Sequence, residues 1–138
     1  MNQKEKKTEG QARILVIEEK DVIRELISTF LSKAGYAVIT AVSGEEGYYL
    51  FLKGSFDLVL TDLTMPGMDG WMFARLIKKK SPDIPVGLMT GWGREEITSK
   101  MKGSSVDFVM FKPFALDELQ DTIKPILEAK KSETQRSV

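Results

Sequence analysis

Five short apolar runs alternate with five segments in which apolar residues recur at helical spacing. This alternation limits the folds that the chain can adopt more than any other feature of the sequence. The apolar runs are predicted strands, at Ala12–Ile17, Tyr36–Ala41, Leu58–Thr61, Ile84–Met89 and Val106–Phe111. The predicted helices, two of them given with their N-caps, are Asp21–Ala34, Ser43–Lys53, Asp69–Lys80, Glu95–Lys102 and Leu116–Leu127. Apolar strands separated by helices are typical of a parallel sheet covered on both faces. The sequence therefore predicts an α/β fold with a doubly wound five-stranded parallel sheet, (βα)5, in three layers.

Capping residues mark the start of two predicted helices. Ser43 and Glu46 have the spacing of a capping box, and Asp69 is a second predicted N-cap. The helix predicted over Glu95–Lys102 carries only two apolar residues, so we expect it to be weakly anchored. Pro125 lies inside the last predicted helix and is expected to kink or tighten its final turn.

Composition limits the class of protein. A chain of 138 residues accommodates one domain, which we assign to residues 11–129, with flexible tails over residues 1–10 and 130–138. Basic and acidic residues balance at 20 each, which argues against direct nucleic-acid binding. The sequence has no apolar stretch long enough for a membrane span and no signal-peptide pattern, so we expect a cytoplasmic protein. Cysteine and histidine are absent, which excludes sites built on either residue.

Polar side chains follow four of the predicted strands. The first strand is followed by Glu18-Glu19, the third by Asp62, the fourth by Thr90-Gly91 and the fifth by Lys112-Pro113. The carboxyl ends of parallel strands share one edge of a sheet, where ligands of such folds gather. We therefore expect three carboxylates, a hydroxyl and an ammonium group to converge on one cleft.

The expected cleft has the chemistry of a metal or phosphoryl-transfer site. Clustered carboxylates repel one another, and Lys112 and a divalent cation can each offset part of the charge. Ligands that are all oxygen favour Mg²⁺ or a similar hard cation. Asp62 can act there as a metal ligand or as a nucleophile that forms an acyl phosphate. In the second case Lys112 and the cation would stabilise the phosphoryl oxygens, and the Thr90 hydroxyl would hydrogen-bond to one of them.

Each of these residues also has an ordinary structural explanation. Asp62 alone can cap a turn, and Glu18-Glu19 alone can be a solvated turn between strand and helix. Thr90 alone can be a strand residue, and Lys112 a surface charge. The combination at four strand ends is more specific than its parts, and the Lys112–Pro113 peptide bond can be cis.

Over residues 11–129 the chain resembles the response-regulator receiver domain of two-component signalling, a flavodoxin-like fold. The resemblance is carried by the run Asp62–Gly70, the pair Thr90-Gly91 and the run Phe111–Phe114. It implies that the chain is no enzyme beyond its own phosphoryl transfer and autodephosphorylation. The implied phosphoryl donor is a phosphohistidine on a sensor histidine kinase or phosphotransfer protein.

The resemblance also implies roles for individual residues. Asp62 matches the phosphoacceptor, and Thr90 and Lys112 match the switch hydroxyl and the phosphate-binding lysine. Mg²⁺ would be held by Asp62, the Thr64 backbone carbonyl and the acidic pair, in which Glu19 matches the direct ligand and Glu18 the ligand that acts through water. A downstream protein would bind the surface of helix 4, strand 5 and helix 5, and a homodimer formed on phosphorylation is left open.

The sequence departs from the family pattern in three places. Glu18-Glu19 stands where the family usually has aspartates, which are one methylene shorter. Val109 occupies the position of the usual switch aromatic, while Phe108 is expected on the other face of the strand. Trp92 lies two residues after Thr90, at a position that commonly tunes phosphoryl lifetime, although it can equally be a loop residue packed on the short helix.

These departures leave two alternatives to a phosphorylated receiver. The first is a receiver-like interaction module that is poorly or not phosphorylated, favoured by Glu18-Glu19 and Val109. The second is a small Mg²⁺-dependent phosphatase with Asp62 as nucleophile. It would need a general acid about two residues later, and Thr64 serves poorly in that role.

Overall fold

The computed structural model describes residues 10–136, with side chains through Lys131. Five strands alternate with five helices in the order β1 (Arg13–Ile17), α1 (Asp21–Lys33), β2 (Ala37–Ala41), α2 (Gly44–Lys53), β3 (Leu58–Asp62), α3 (Gly70–Lys80), β4 (Val86–Thr90), α4 (Arg94–Met101), β5 (Phe108–Phe111) and α5 (Leu116–Arg136). All four strand pairings are parallel, and the strand order is β2-β1-β3-β4-β5. The predicted (βα)5 fold with a doubly wound parallel sheet is confirmed. Among the residues described, the helices lack the length and apolar character needed to cross a membrane.

Two apolar clusters cover the two faces of the sheet. On the first face, helices α1 and α5 pack onto the strands through buried residues that include Ile27, Leu31, Leu119 and Ile123. On the second face, α2, α3 and α4 contribute Phe51, Phe73, Ile77 and Ile97. We call these the α1/α5 face and the α2–α4 face. Helices on both faces give the three layers that the sequence predicts.

Side chains alternate between the two faces along each strand. In β3, Leu58 and Leu60 belong to the α1/α5 face, whereas Val59 belongs to the α2–α4 face. Since successive side chains of a strand point to opposite faces, Asp62 continues the row of Leu58 and Leu60. The same alternation in β4 assigns Leu88 to the α2–α4 face, so Thr90 belongs to that face.

The N-terminal caps form as the sequence predicts. Ser43 accepts a hydrogen bond from the Glu46 backbone N–H at 3.1 Å, and Asp69 accepts one from the Met72 N–H at 2.9 Å. The Glu46 carboxylate bonds to the Val42 N–H at 2.8 Å, one residue before the cap rather than at the cap itself. Both helices therefore begin where predicted.

Element boundaries differ from the predictions at the last strands and at the end of the chain. Strand β5 begins at Phe108 rather than at 106, because the Asp107 carboxylate turns back to accept a hydrogen bond from the Val86 N–H at 2.7 Å. Helix α5 runs through Pro125 to Arg136, past the predicted end at 127. Glutamate, alanine and lysine, which favour helix, follow Leu127. The predicted C-terminal tail therefore overlaps α5, while residues 1–9 of the predicted N-terminal tail lie outside the described part of the chain.

Replacing Gly87 with alanine is expected to destabilise the sheet. Gly87 and Phe108 are register partners on β4 and β5, and a Cβ on Gly87 would overlap the Phe108 ring. We expect the free energy of unfolding, measured by urea titration, to fall by about 1–3 kcal/mol. Gly91→Ala is the matched control, because a Cβ there meets nothing within 4 Å. Equal stability of the two variants would contradict this packing.

Candidate functional site at the carboxyl edge of the sheet

The structure brings together side chains from the ends of three strands. The Lys112 Nζ lies 3.0 Å from Asp62 Oδ1 and 3.1 Å from Glu18 Oε1. Lys112 follows β5, Asp62 is the last residue of β3 and Glu18 follows β1, and all three continue rows of side chains on the α1/α5 face. Asp62 and Glu18 are buried, and the Lys112 ammonium is shared between them. The peptide bond from Lys112 to Pro113 is cis.

The two glutamates of the acidic pair have different surroundings. Glu18 is fully buried, and its second carboxylate oxygen accepts a hydrogen bond from the Lys20 N–H at 3.0 Å. Glu19 is exposed in the loop between β1 and α1. Alternation along β1 explains the difference, because only every second position reaches the face where Lys112 lies. The structure therefore gathers two of the three predicted carboxylates around Lys112, not three.

Burial and the ion pairs with Lys112 act in opposite directions on the pKa values of the cluster. Burial raises the pKa of the Asp62 carboxyl, and the charge of Glu18 adds to the rise, although hydrogen bonding and charge from Lys112 oppose it. Burial would lower the pKa of the Lys112 ammonium, but its hydrogen bonds and charge interactions with Asp62 and Glu18 outweigh burial and raise that pKa. With both carboxyls ionised, two negative charges face one positive charge. In that ionisation state the cluster would carry one negative charge in excess, which a cation would offset.

The ligands that this edge offers suit a hard divalent cation. Glu18 and Asp62 supply carboxylate oxygens, and Glu19 and Thr64 lie in the loops that follow the same two strands. In the part of the chain that the structure describes, no three acidic residues are grouped closely enough to form a metal site by themselves. A cation at this edge would therefore need backbone carbonyl or water oxygens in addition to carboxylates.

Thr90 lies at the same edge but on the α2–α4 face. Its hydroxyl oxygen accepts a hydrogen bond from the Trp92 N–H at 3.0 Å, and its carbonyl accepts one from the Lys112 N–H at 2.7 Å. Thr90 is thus connected to the lysine through the backbone and to the loop before α4 through its side chain. Because the hydroxyl acts here as an acceptor, its proton is available to another acceptor.

A glycine that the sequence argument left without a role fixes the loop after Asp62. A Cβ on Gly70 would lie 2.6 Å from the Asp62 carbonyl oxygen and 2.7 Å from Leu88 Cδ1. The Gly70 N–H donates to the Leu63 carbonyl at 2.8 Å. Only glycine lets α3 begin this close to the end of β3. The sequence signal was a glycine at the first helical position, where better helix formers are common.

Helix α4 is held by two apolar residues, Ile97 and the partly buried Met101, and by cation–π contacts. Ile97 is its one buried residue. The Arg94 guanidinium lies 4.4 Å from the centre of the Phe111 ring, and the Lys100 ammonium lies 5.4 Å from that of Trp92. Trp92 therefore packs against a residue of the short helix, as one of its two sequence interpretations expects. The weak anchoring that we expected for this helix is present.

The aromatic residues of β5 divide between the two faces. Phe108 packs with the α1/α5 face, as the sequence indicates, whereas Val109 packs with the α2–α4 face. Phe111 also packs with the α2–α4 face, and the Arg94 guanidinium stacks over its ring. An aromatic ring therefore does contact α4, from a position two residues later than the family pattern places it.

Comparison with known proteins agrees with this architecture. The family model described as "Response regulator receiver domain" matches residues 14–124. "Probable transcriptional regulator ycf27" of Cyanidium caldarium is 35% identical over 124 residues, covering 88% of this chain and 49% of that protein. "Transcriptional regulatory protein CusR" of Escherichia coli K12 is 30% identical over 115 residues, covering 83% of this chain and 51% of that protein. The chain thus spans about half the length of these curated relatives.

Solved structures show the same fold. The chemotaxis response regulator CheY4 of Vibrio cholerae superposes with a TM-score of 0.78 at 27% identity, over 84% of this chain and 98% of that one. A response regulator receiver domain protein from Clostridium thermocellum gives a TM-score of 0.80 at 33% identity, over 87% of this chain and 97% of that one.

Replacing Asp62 with asparagine is expected to stabilise the fold at neutral pH. The raised pKa of Asp62 means that its ionised form is less favourable in the folded than in the unfolded chain. Removing that charge should raise the free energy of unfolding by about 0.5–2 kcal/mol. The gain should shrink as the pH falls through the raised pKa toward the ordinary value, because the wild-type carboxyl then takes up its proton. Urea titrations of both proteins at several pH values measure this, and a gain that does not depend on pH would contradict it.

Replacing Arg94 with alanine is expected to loosen α4. The variant loses the contact with Phe111 and leaves Ile97 as the main anchor of the helix. The free energy of local opening over Arg94–Met101 should fall by about 0.5–1 kcal/mol. Amide hydrogen exchange in this helix should therefore become faster. Lys102→Ala, an exposed charge just past the helix, is the control. Unchanged protection in Arg94→Ala would show that the ring contact does not hold the helix.

Proposed function

The chain belongs to the response regulator receiver domain family of two-component systems, and on that basis we propose that Asp62 accepts a phosphoryl group from a partner's phosphohistidine. Receiver domains partner with histidine kinases, and the proposed donor is a sensor histidine kinase or a phosphotransfer protein. The observation that carries the proposal is the Lys112 ammonium shared between Asp62 and Glu18 at the carboxyl edge of the sheet. These 138 residues contain no histidine, so the phosphohistidine that donates the group would lie outside them.

The proposed reaction exchanges one bond at phosphorus for another. A carboxylate oxygen of Asp62 attacks the phosphorus atom, the phosphorus–nitrogen bond to the histidine breaks, and an acyl phosphate forms on Asp62. Lys112 already lies at hydrogen-bond distance from Asp62 and would stabilise charge on the transferred phosphoryl oxygens. The Thr90 hydroxyl, whose proton is available, would donate to one of these oxygens.

The residues that would hold Mg²⁺ are Asp62, Glu18, Glu19 and the Thr64 carbonyl. The oxygen-only ligands and the excess negative charge around Lys112 support this assignment. The bound cation would supply neutralisation of the charge on the phosphoryl group. Glu18 is already engaged by Lys112 and by the Lys20 N–H, which suits a role through water, whereas the exposed Glu19 side chain can turn to a cation directly.

We further propose that phosphorylation acts on a partner surface formed by α4, β5 and α5. A Thr90 hydroxyl drawn toward the phosphoryl group would change its hydrogen bond with the Trp92 N–H, and Trp92 contacts α4 through Lys100. The weak anchoring of α4 allows its populations to shift at low energetic cost. The output would be binding of a downstream protein, or of a second copy of this chain, rather than direct contact with nucleic acid.

Phosphorylation can be tested with a small acyl-phosphate donor and Mg²⁺, followed by intact mass. We expect wild type to gain one phosphoryl group and Asp62→Asn to gain none. Lys112→Ala should react at least about tenfold more slowly, because the ammonium group next to the Asp62 carboxylate is lost. Asp83→Asn is the matched control, because Asp83 is an exposed carboxylate that precedes β4, at the edge of the sheet opposite Asp62.

Three outcomes would contradict the proposal. No mass gain in wild type would favour the interaction module that lacks phosphorylation. A gain that persists in Asp62→Asn would place the phosphoryl group elsewhere. Multiple-turnover release of phosphate from stable phosphomonoesters would favour the phosphatase.

A further inference from the structure

An arginine outside the proposed catalytic set holds the loop that carries the acidic pair. Arg24 lies on the first turns of α1, and its Nη1 donates to the carbonyl oxygens of Glu18 at 3.0 Å and of Glu19 at 3.2 Å. Its Nη2 donates to Asp21 Oδ1 at 2.6 Å. The Arg24 side chain is mostly buried, with 17% of it exposed. One side chain therefore fixes two consecutive peptide groups of the β1–α1 loop.

The two carbonyls lie where the sheet no longer determines the backbone. The Glu18 N–H still bonds to the Ala41 carbonyl of β2 at 3.1 Å, but the Glu18 and Glu19 carbonyls turn to Arg24. The orientation of these peptide groups sets the direction in which each glutamate leaves the backbone. A glutamate has one more rotatable bond than an aspartate, so more freedom must be removed to place its carboxylate. The backbone is the part of Glu19 that Arg24 can hold, since the side chain is exposed.

We infer that Arg24 is a positioning residue for cation binding at this edge, acting through the backbone of Glu18 and Glu19. The inference rests on the proposed function, because it assumes that the acidic edge takes up Mg²⁺. The planar guanidinium of Arg24 can donate to two carbonyls and a carboxylate at the same time, which a lysine ammonium reproduces poorly. Asp21 neutralises the guanidinium, so that the cation is not strongly repelled by it.

The sign of the effect separates positioning from charge. If Arg24 acted only as a positive charge near the cation, its removal would tighten Mg²⁺ binding. If it acted only to hold α1 on the domain, its removal would lower stability and leave the affinity of the folded protein unchanged. Positioning predicts weaker Mg²⁺ binding by the folded protein, by about tenfold or more, as for residues that orient metal ligands in general.

The experiment is a Mg²⁺ titration of the folded chain followed by tryptophan fluorescence, since Trp92 lies two residues past Thr90. We expect Arg24→Ala to raise the dissociation constant about tenfold, Arg24→Lys to lie between it and wild type, and Arg75→Ala, an exposed arginine on α3, to match wild type. Urea titration of each variant confirms folding. If Arg24→Ala does not fold, Arg24→Lys carries the comparison.

A double-mutant cycle with Glu19→Gln tests the route of the effect. The loss caused by Arg24→Ala should shrink in the Glu19→Gln background, because the carboxylate that Arg24 positions is already gone. Unchanged or tighter Mg²⁺ binding in folded Arg24→Ala, or fully additive losses in the cycle, would overturn the inference while leaving the proposed function intact. Absence of saturable Mg²⁺ binding by wild type would instead remove the premise and overturn both.

Discussion

Alternation of side chains along parallel strands is the constraint on which this molecule depends. Both faces of the sheet are covered by helices, so apolar residues fill most of the strand positions. The polar side chains at the ends of these strands continue the alternation, so each points to the same face as the residue two positions before it. This places Glu18, Asp62 and Lys112 on one face and Thr90 on the other. A shift of one residue in any of these strands would exchange the faces and dismantle the cluster.

The cluster of Glu18, Asp62 and Lys112 buries charged groups, which is energetically unfavourable. Two carboxylates share one ammonium group in a buried setting, and burial raises the pKa of Asp62 despite the neighbouring Lys112. The energetic cost is carried by two apolar clusters that do not depend on the site. Excess negative charge at a functional edge is a common form of this conflict between stability and function. It is also the feature on which the proposed binding of a cation at this edge rests.

The face opposite the carboxylates has a different physical character. There α4 is held by the buried Ile97, by the partly buried Met101 and by cations stacked on aromatic rings. Thr90 joins the two sides, because its carbonyl bonds to the Lys112 N–H and its hydroxyl to the Trp92 N–H. A firm chemical edge next to a loosely held helix is an arrangement in which a local change of charge can move a surface element.

The sequence by itself determined the order of elements, the parallel sheet and the edge at which Asp62 and Lys112 would meet, because hydrophobic periodicity and strand ends are local properties. It did not determine that Glu18 rather than Glu19 would pair with Lys112. It also did not determine that Arg24 would bond to the carbonyls of these two glutamates, or that Arg94 would stack on Phe111. The length of α5 was also missed, since a helix-favouring segment after Pro125 looks like a tail until it is seen to continue the helix. These features depend on face parity, on distances between elements remote in sequence and on the space left between them, which only the packed tertiary structure decides.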